Sequence, residues 1–372
     1  LNVPRFYYSV HLQRMLDWRR IRTLDLVSFG CAALSALGLA FAGFGVVALL
    51  AQLIAVPVPY IIDLVVRRPD LLRVRFRLSG YAATIRFGMI RNATYLGWVG
   101  QRLLEASVFT AVAGFAGFGV YGRALGLAGM TAGWLTEQGS TIAYPVLARL
   151  PARGGQLPRA AGLVLRLTLC TSAPLAVPVF LFNDTAVRLL YGPAWDEVAP
   201  LLRPVLVVAV TGAMTRGLGV VVLVSLGAGA GLALQLAMAT VCALGLWLAL
   251  PVGPLAYAWF LAAGNGAVLV ALGAALIATG ALRVGDVVAA VTPPLVLAAA
   301  ATAASASGPV AAWDAAHSVP ALAAAIAAAL LLAAGAVRLL DPAGLQDALA
   351  FAPGGARLAR VLGLGRPAMA GE

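Results

Sequence analysis

Long apolar runs follow one another through this chain, and arginines gather only at every second junction between them. A helix of about 20 apolar residues, rising 1.5 Å per residue, crosses the hydrocarbon core of a bilayer. Ten such runs are predicted, at about 24–43, 45–66, 80–104, 117–151, 160–182, 199–223, 226–249, 252–278, 285–304 and 318–339. Lipid offers no partner to a backbone N–H or C=O, so each run must satisfy its own as a helix. Hydrophobic residues make up 62% of the chain and charged residues 11%, against roughly 25% charged in a soluble domain. The expected fold class is therefore all-α: a polytopic inner-membrane helical bundle of about ten transmembrane helices.

All the basic residues are arginine, and the formal net charge is +12. In a soluble protein that excess would suggest nucleic acid. Here the arginines sit in loops between spans, so they set orientation, and no nucleic-acid partner is expected. Arg14, Arg19, Arg20 and Arg22 precede the first span, and Arg67, Arg68, Arg73, Arg75 and Arg77 follow the second. The Gly43–Gly45 tip between those spans has none, which places both ends of that hairpin in the cytoplasm. Pro57 and Pro59 should kink its second helix. Arg149, Arg153, Arg283 and Arg338 mark further inner ends, whereas 184–196 and 305–317 read as outer segments, with Tyr191 and Trp195 at the outer interface. The alternation puts both termini inside a multi-pass cell-membrane protein. The sequence opens on Leu1 with no signal peptide before the first span, and we expect the natural start to lie upstream.

One span is unusual. Residues 117–151 carry Arg123 and Glu137, and a charged group at membrane depth costs about 2.5–3.5 kcal/mol on insertion scales. Arg123, Leu127, Met130, Trp134, Glu137 and Thr141 recur at steps of three and four and are expected to share one face. The two charges then lie about 21 Å apart along the axis, too far to neutralise each other. This helix is expected to wall a cationic, solvated cavity. In the span before it, Arg91, Tyr95, Trp98 and Arg102 also share a face, and Glu105 extends it within reach of Arg102. A glycine-rich bend, 114–119, joins the two spans.

Other chemistry finds little support. Cys31, Cys170 and Cys242 fall inside apolar runs, and His11 and His317 are far apart, so no metal site is expected. The glycine-rich stretches 114–119 and 227–231 lack the strand–turn–helix setting of a nucleotide site, and no cofactor is expected. No Ser/His/Asp set occurs, so no catalytic residue is assigned and the chain is not expected to be an enzyme. The only loop carboxylates open to an enzyme reading are Asp184, Asp196, Glu197 and Asp314.

Four stretches carry a family resemblance: VPRFYYSVHLQRMLDWRRIRTLD (3–25), GVYGRALGL (119–127), YPVLARL (144–150) and LYGPAWDEVAPLLR (190–203). In this order and spacing they resemble the polysaccharide flippases of the multidrug/oligosaccharidyl-lipid/polysaccharide (MOP) exporter superfamily. Those proteins have 12 or 14 spans in two six-helix lobes around a central cavity. The resemblance implies that residues 1–78 end an incomplete N-terminal lobe, 79–280 form the C-terminal six-helix lobe, 281–340 add a helix pair, and 341–372 are a cytoplasmic tail. It also implies that roughly four N-terminal helices are lacking, so that residues 1–372 alone should insert without flipping cargo.

The implied function is flipping of isoprenoid-pyrophosphate-linked oligosaccharide across the cytoplasmic membrane for polysaccharide biosynthesis, including the lipopolysaccharide type. The implied partners are the lipid-linked oligosaccharide, the lipid bilayer, and polysaccharide polymerase or glycosyltransferase machinery. Alternatives are a cation-coupled small-molecule exporter and a membrane-embedded glycan-processing enzyme. For a pyrophosphate cargo the candidate binding arginines are Arg123, Arg91, Arg102 and Arg216, because a guanidinium fork matches phosphate oxygens. Arg123 could equally form a structural ion pair, Arg91 and Arg102 could snorkel, and Arg216 could approach the inner leaflet. Tyr95, Trp98 and Trp134 either stack on sugar rings or pack as ordinary core and interface aromatics. Glu137 either couples transport to a cation or locks onto a neighbouring helix.

Overall fold

A computed structural model describes residues 2–15, 17–72, 81–133, 156–288, 290–292, 310, 312, 314, 316 and 318–340. The described residues hold helices and no strand, as the apolar runs require. They divide into two compact units that part between Ala82 and Ala83.

The first unit holds α1 (Asn2–Arg14), α2 (Trp18–Phe41), α3 (Val46–Ala55) and α4 (Val58–Arg67). Asp17 caps α2 by accepting from the Arg20 N–H at 3.1 Å. Gly43 and Gly45 take positive φ at the tip after α2. The helix predicted at 45–66 is broken at Val56–Pro57, where proline removes a donor. Tyr8, Leu12, Ile21, Leu24, Tyr60 and Leu64 form a small buried cluster. Polar anchors surround it. Asp63 receives the Tyr8 hydroxyl at 2.8 Å and the Arg20 Nε at 2.8 Å, and Tyr60 donates to Asp25 at 2.7 Å. Burial, with the Asp63 carboxylate second, holds the Tyr8 phenol above its ordinary value.

The second unit holds α5 (Ala82–Ala128), α6 (Gln156–Leu181), α7 (Asn183–Tyr191), α8 (Val198–Ser225), α9 (Ala228–Leu248), α10 (Pro254–Ala278) and α11 (Val319–Leu340). Six helices among the described residues are long and apolar enough to cross a membrane, or seven if Ser172–Leu181 and Asn183–Tyr191 form one bent span. One of the six is the 52-residue stretch Ala82–Gly133. At 1.5 Å per residue it would be about 78 Å long if straight, more than twice a bilayer core. It is not straight. Gly114 has φ 75° and ψ 171°, a conformation open essentially only to glycine, and the helix folds back there into a hairpin of two arms. The bend predicted over 114–119 is thus made at one residue. The expected span at 285–304 lies mostly outside the described residues.

Between membrane helices the driving force is close packing of small residues, because lipid is as apolar as leucine. Ala124, Ala128, Ala213 and Ala258 are fully buried. On α10, a Cβ at Gly264 would overlap the Val241 side chain of α9, so these helices approach as closely as glycine allows. The segment 184–196, expected as a polar, turn-rich outer segment, is largely helical. α7 leaves Ser172–Leu181 at 95°, and its first turn is capped by Asp314, which accepts from the Thr185 N–H at 2.9 Å and the Thr185 hydroxyl at 2.8 Å.

Candidate functional site: a carboxylate–guanidinium cleft in the α5 hairpin

The hairpin brings Glu105 of the first arm against Tyr121 of the second. These residues are 16 apart in sequence, about 24 Å in a continuous helix. Folding back at Gly114 lets the Tyr121 hydroxyl donate to Glu105 Oε1 at 2.9 Å. Tyr257 of α10 donates to the same oxygen at 2.9 Å, and Arg102 Nη1 donates to Oε2 at 3.0 Å. Phe109 closes the cluster, stacked on Tyr121 with centroids 4.8 Å apart and edge-on to Tyr257 at 5.6 Å. Cys242 of α9 lies 3.5 Å from the Tyr257 hydroxyl.

The pair is asymmetric. The Glu105 side chain is 7% exposed and that of Arg102 is 49% exposed. Three donors from two helices therefore hold the carboxylate, while the arginine side chain is half exposed. Arg102 lines a cleft of about 440 Å³ together with Glu105, Phe118, Gly122, Leu125 and Gly126, within the size range of small-ligand sites. Gly122 and Gly126 belong to the second arm, and none of the residues lining this cleft is on the face expected to wall a cavity.

Arg123 stands one residue from this wall and points elsewhere. Its guanidinium carbon lies 5.6 Å from the Tyr191 ring centroid and 5.0 Å from that of Trp195, and Tyr191 donates to the Arg123 carbonyl at 3.2 Å. The expected common face fails at Leu127, which is buried while Arg123 and Met130 are exposed. Four residues turn a helix by about 400°, which swings position 127 roughly 40° toward the core. Gly129–Gly133 is a π turn, across which an α-helical wheel no longer applies. Trp134 and Glu137 lie outside the described residues.

The remaining candidates are not brought to the cleft. Arg91, Tyr95 and Trp98 are exposed along the first arm, with the two rings 5.9 Å apart. Arg91 is eleven residues before Arg102, about 16 Å down the helix. Arg216 is exposed on α8, about 27 Å from that helix's start near Trp195. Of the loop carboxylates, Asp196 is gripped by Arg188 at 2.9 and 2.6 Å and Asp314 caps α7. Neither Tyr121, present in the 119–127 motif, nor Tyr257, a tyrosine in an apolar run, was singled out as a site residue in the sequence. Nor was the Arg166–Asp286 ion pair at 3.1 Å, whose partners are 120 residues apart.

The fold and the site together define an all-α polytopic membrane protein with a charged cleft inside one helical hairpin. The chain belongs to the polysaccharide biosynthesis protein family, whose profile matches residues 4–200. That stretch overlaps all four motif segments quoted above. No curated protein and no solved structure shows a significant match to the chain.

Proposed function

We propose that the chain forms part of the path by which isoprenoid-pyrophosphate-linked oligosaccharide moves from the cytoplasmic to the outer leaflet of the cell membrane, alongside the polymerase or glycosyltransferase machinery of polysaccharide biosynthesis. One observation carries this reading: the half-exposed Arg102 guanidinium, backed by buried Glu105, lines a cleft between apolar helices. A cation there suits an anionic headgroup, and membership of a polysaccharide biosynthesis family supports a glycan-bearing one. Arg123, Arg91 and Arg216 are further cargo contacts in this proposal, with Tyr95, Trp98 and Trp134 as sugar-stacking surfaces and Glu137 as a coupling group. A guanidinium at the cleft disfavours export of small organic cations. The enzyme reading has less support, since Asp196 and Asp314 are both engaged in holding α7 and its flank.

The test is the appearance of labelled lipid-linked glycan on the outer leaflet of cells that depend on this gene. Arg102→Ala should reduce it about 10- to 150-fold, the range for losing a hydrogen bond to a charged group. Arg102→Lys should recover part, because the charge remains and the fork is lost. Normal appearance with Arg102→Ala, combined with loss in Asp196→Asn or Glu197→Gln, would replace the transporter by an enzyme.

A further inference from the structure

We infer that Arg123, held over Tyr191 and Trp195, forms a second, phosphoryl-binding site at the membrane interface beside the cleft; its place in transport rests on the flippase reading. Three observations converge on it. First, the guanidinium is doubly docked. It lies 5.0–5.6 Å from two ring centroids, the rings themselves are 6.3 Å apart, and the Tyr191 hydroxyl ties down the Arg123 backbone. Stacking occupies the face of a guanidinium and leaves its N–H edge open, which is the edge that matches phosphate oxygens.

Second, the described residues around the site leave its charge without a carboxylate partner. The nearby Asp196 is already bound bidentately by Arg188. Third, the aromatic pair follows a sharp bend between apolar helices. α7 turns 95° from the preceding helix, Leu189 and Leu190 on it are 55% exposed, and Tyr191 and Trp195 follow directly. Tyrosine and tryptophan are enriched at the headgroup level of a bilayer. The cleft adjoins it, since Gly126 lines the cleft and a Cβ there would lie 3.5 Å from the Tyr191 hydroxyl. The ligand class is a phosphoryl group on a lipid: either the pyrophosphate of an isoprenoid or the phosphate of an ordinary bilayer lipid.

The experiment measures binding of radiolabelled farnesyl pyrophosphate to residues 1–372 in phosphatidylcholine nanodiscs, and it requires no transport. Arg123→Gln should weaken binding about 10- to 150-fold. Tyr191→Leu and Trp195→Leu, which keep the charge and remove a ring, should each weaken it about two- to fivefold. Tyr191→Phe and Trp195→Phe should stay within about twofold, because a ring remains. A purely structural role for the aromatics would leave affinity unchanged in every variant that folds. Wild-type affinity in Arg123→Gln, or in both leucine variants, overturns the site. If Arg123→Gln does not fold, the phenylalanine–leucine contrast decides alone. Adding phosphatidylglycerol separates the sources: competition that disappears in Trp195→Leu assigns the site to bilayer headgroups, and its absence assigns the site to pyrophosphate. A positive binding pattern in cells with no glycan flipping would leave the site standing and remove the flippase.

Discussion

Glu105 and Tyr121 are 16 residues apart in sequence and joined by a 2.9 Å hydrogen bond. That bond requires the chain to reverse between them, and the reversal rests on Gly114. A carboxylate that would be costly in lipid is thereby enclosed, with a phenol from each of two helices and an arginine one turn away.

Gly114 should therefore tolerate no side chain. Its φ of 75° and ψ of 171° would strain any other residue by about 1–3 kcal/mol. Gly119, on the second arm with nothing within 4 Å of a Cβ, should instead accept alanine and gain about 0.5–1 kcal/mol. Thermal unfolding of Gly114→Ala and Gly119→Ala in detergent measures both. Equal effects would mean that the hairpin does not turn at Gly114.

The Glu105 cluster should respond unequally to loss of its members. Glu105→Leu strands two buried phenols, at about 1–3 kcal/mol each. Arg102→Gln removes an ion-pair partner that is half in contact with solvent or cleft, and should cost less than about 1 kcal/mol. Tyr121→Phe and Tyr257→Phe should each fall near 1 kcal/mol. Denaturation midpoints rank the four. An Arg102→Gln cost as large as that of Glu105→Leu would show the salt bridge, not the tyrosines, to be the main hold on the carboxylate.

Topology follows from the arginine asymmetry of alternate loops. In a background without Cys31, Cys170 and Cys242, cysteines at Pro69 and Asp70 should be shielded in intact cells from an impermeant thiol reagent. Cysteines at Pro193 and Ala194, which are exposed on the short turn after α7, should react. Labelling of the first pair alone would invert the orientation.

Much of the helical layout was legible because a hydrophobic run of fixed length has one low-energy conformation in lipid. α2, α6, α8, α9, α10 and α11 lie within a few residues of the predicted spans. The Pro57 break and the Arg102–Glu105 pair were equally open to reading, since both depend on neighbours within one or two turns. α7 was missed because its helix is stabilised from 130 residues away, by Asp314 at its first turn.

The sequence by itself determined that this is an all-α membrane protein, where most of its helices begin and end, and that charge carried by its apolar runs must be sheltered. Each follows from transfer of apolar and polar groups into lipid, an energy that adds up residue by residue along the chain. Only the tertiary structure decided which groups shelter that charge. Tyr121 reaches Glu105 through a backbone reversal and Tyr257 reaches it from α10, 152 residues on. It also decided that Arg123 leaves the cleft for the rings of Tyr191 and Trp195, 68 residues from its carbonyl's donor. Cation–π and hydrogen-bond contacts act over a few ångströms, so their partners are chosen by how helices pack and not by their spacing in the chain.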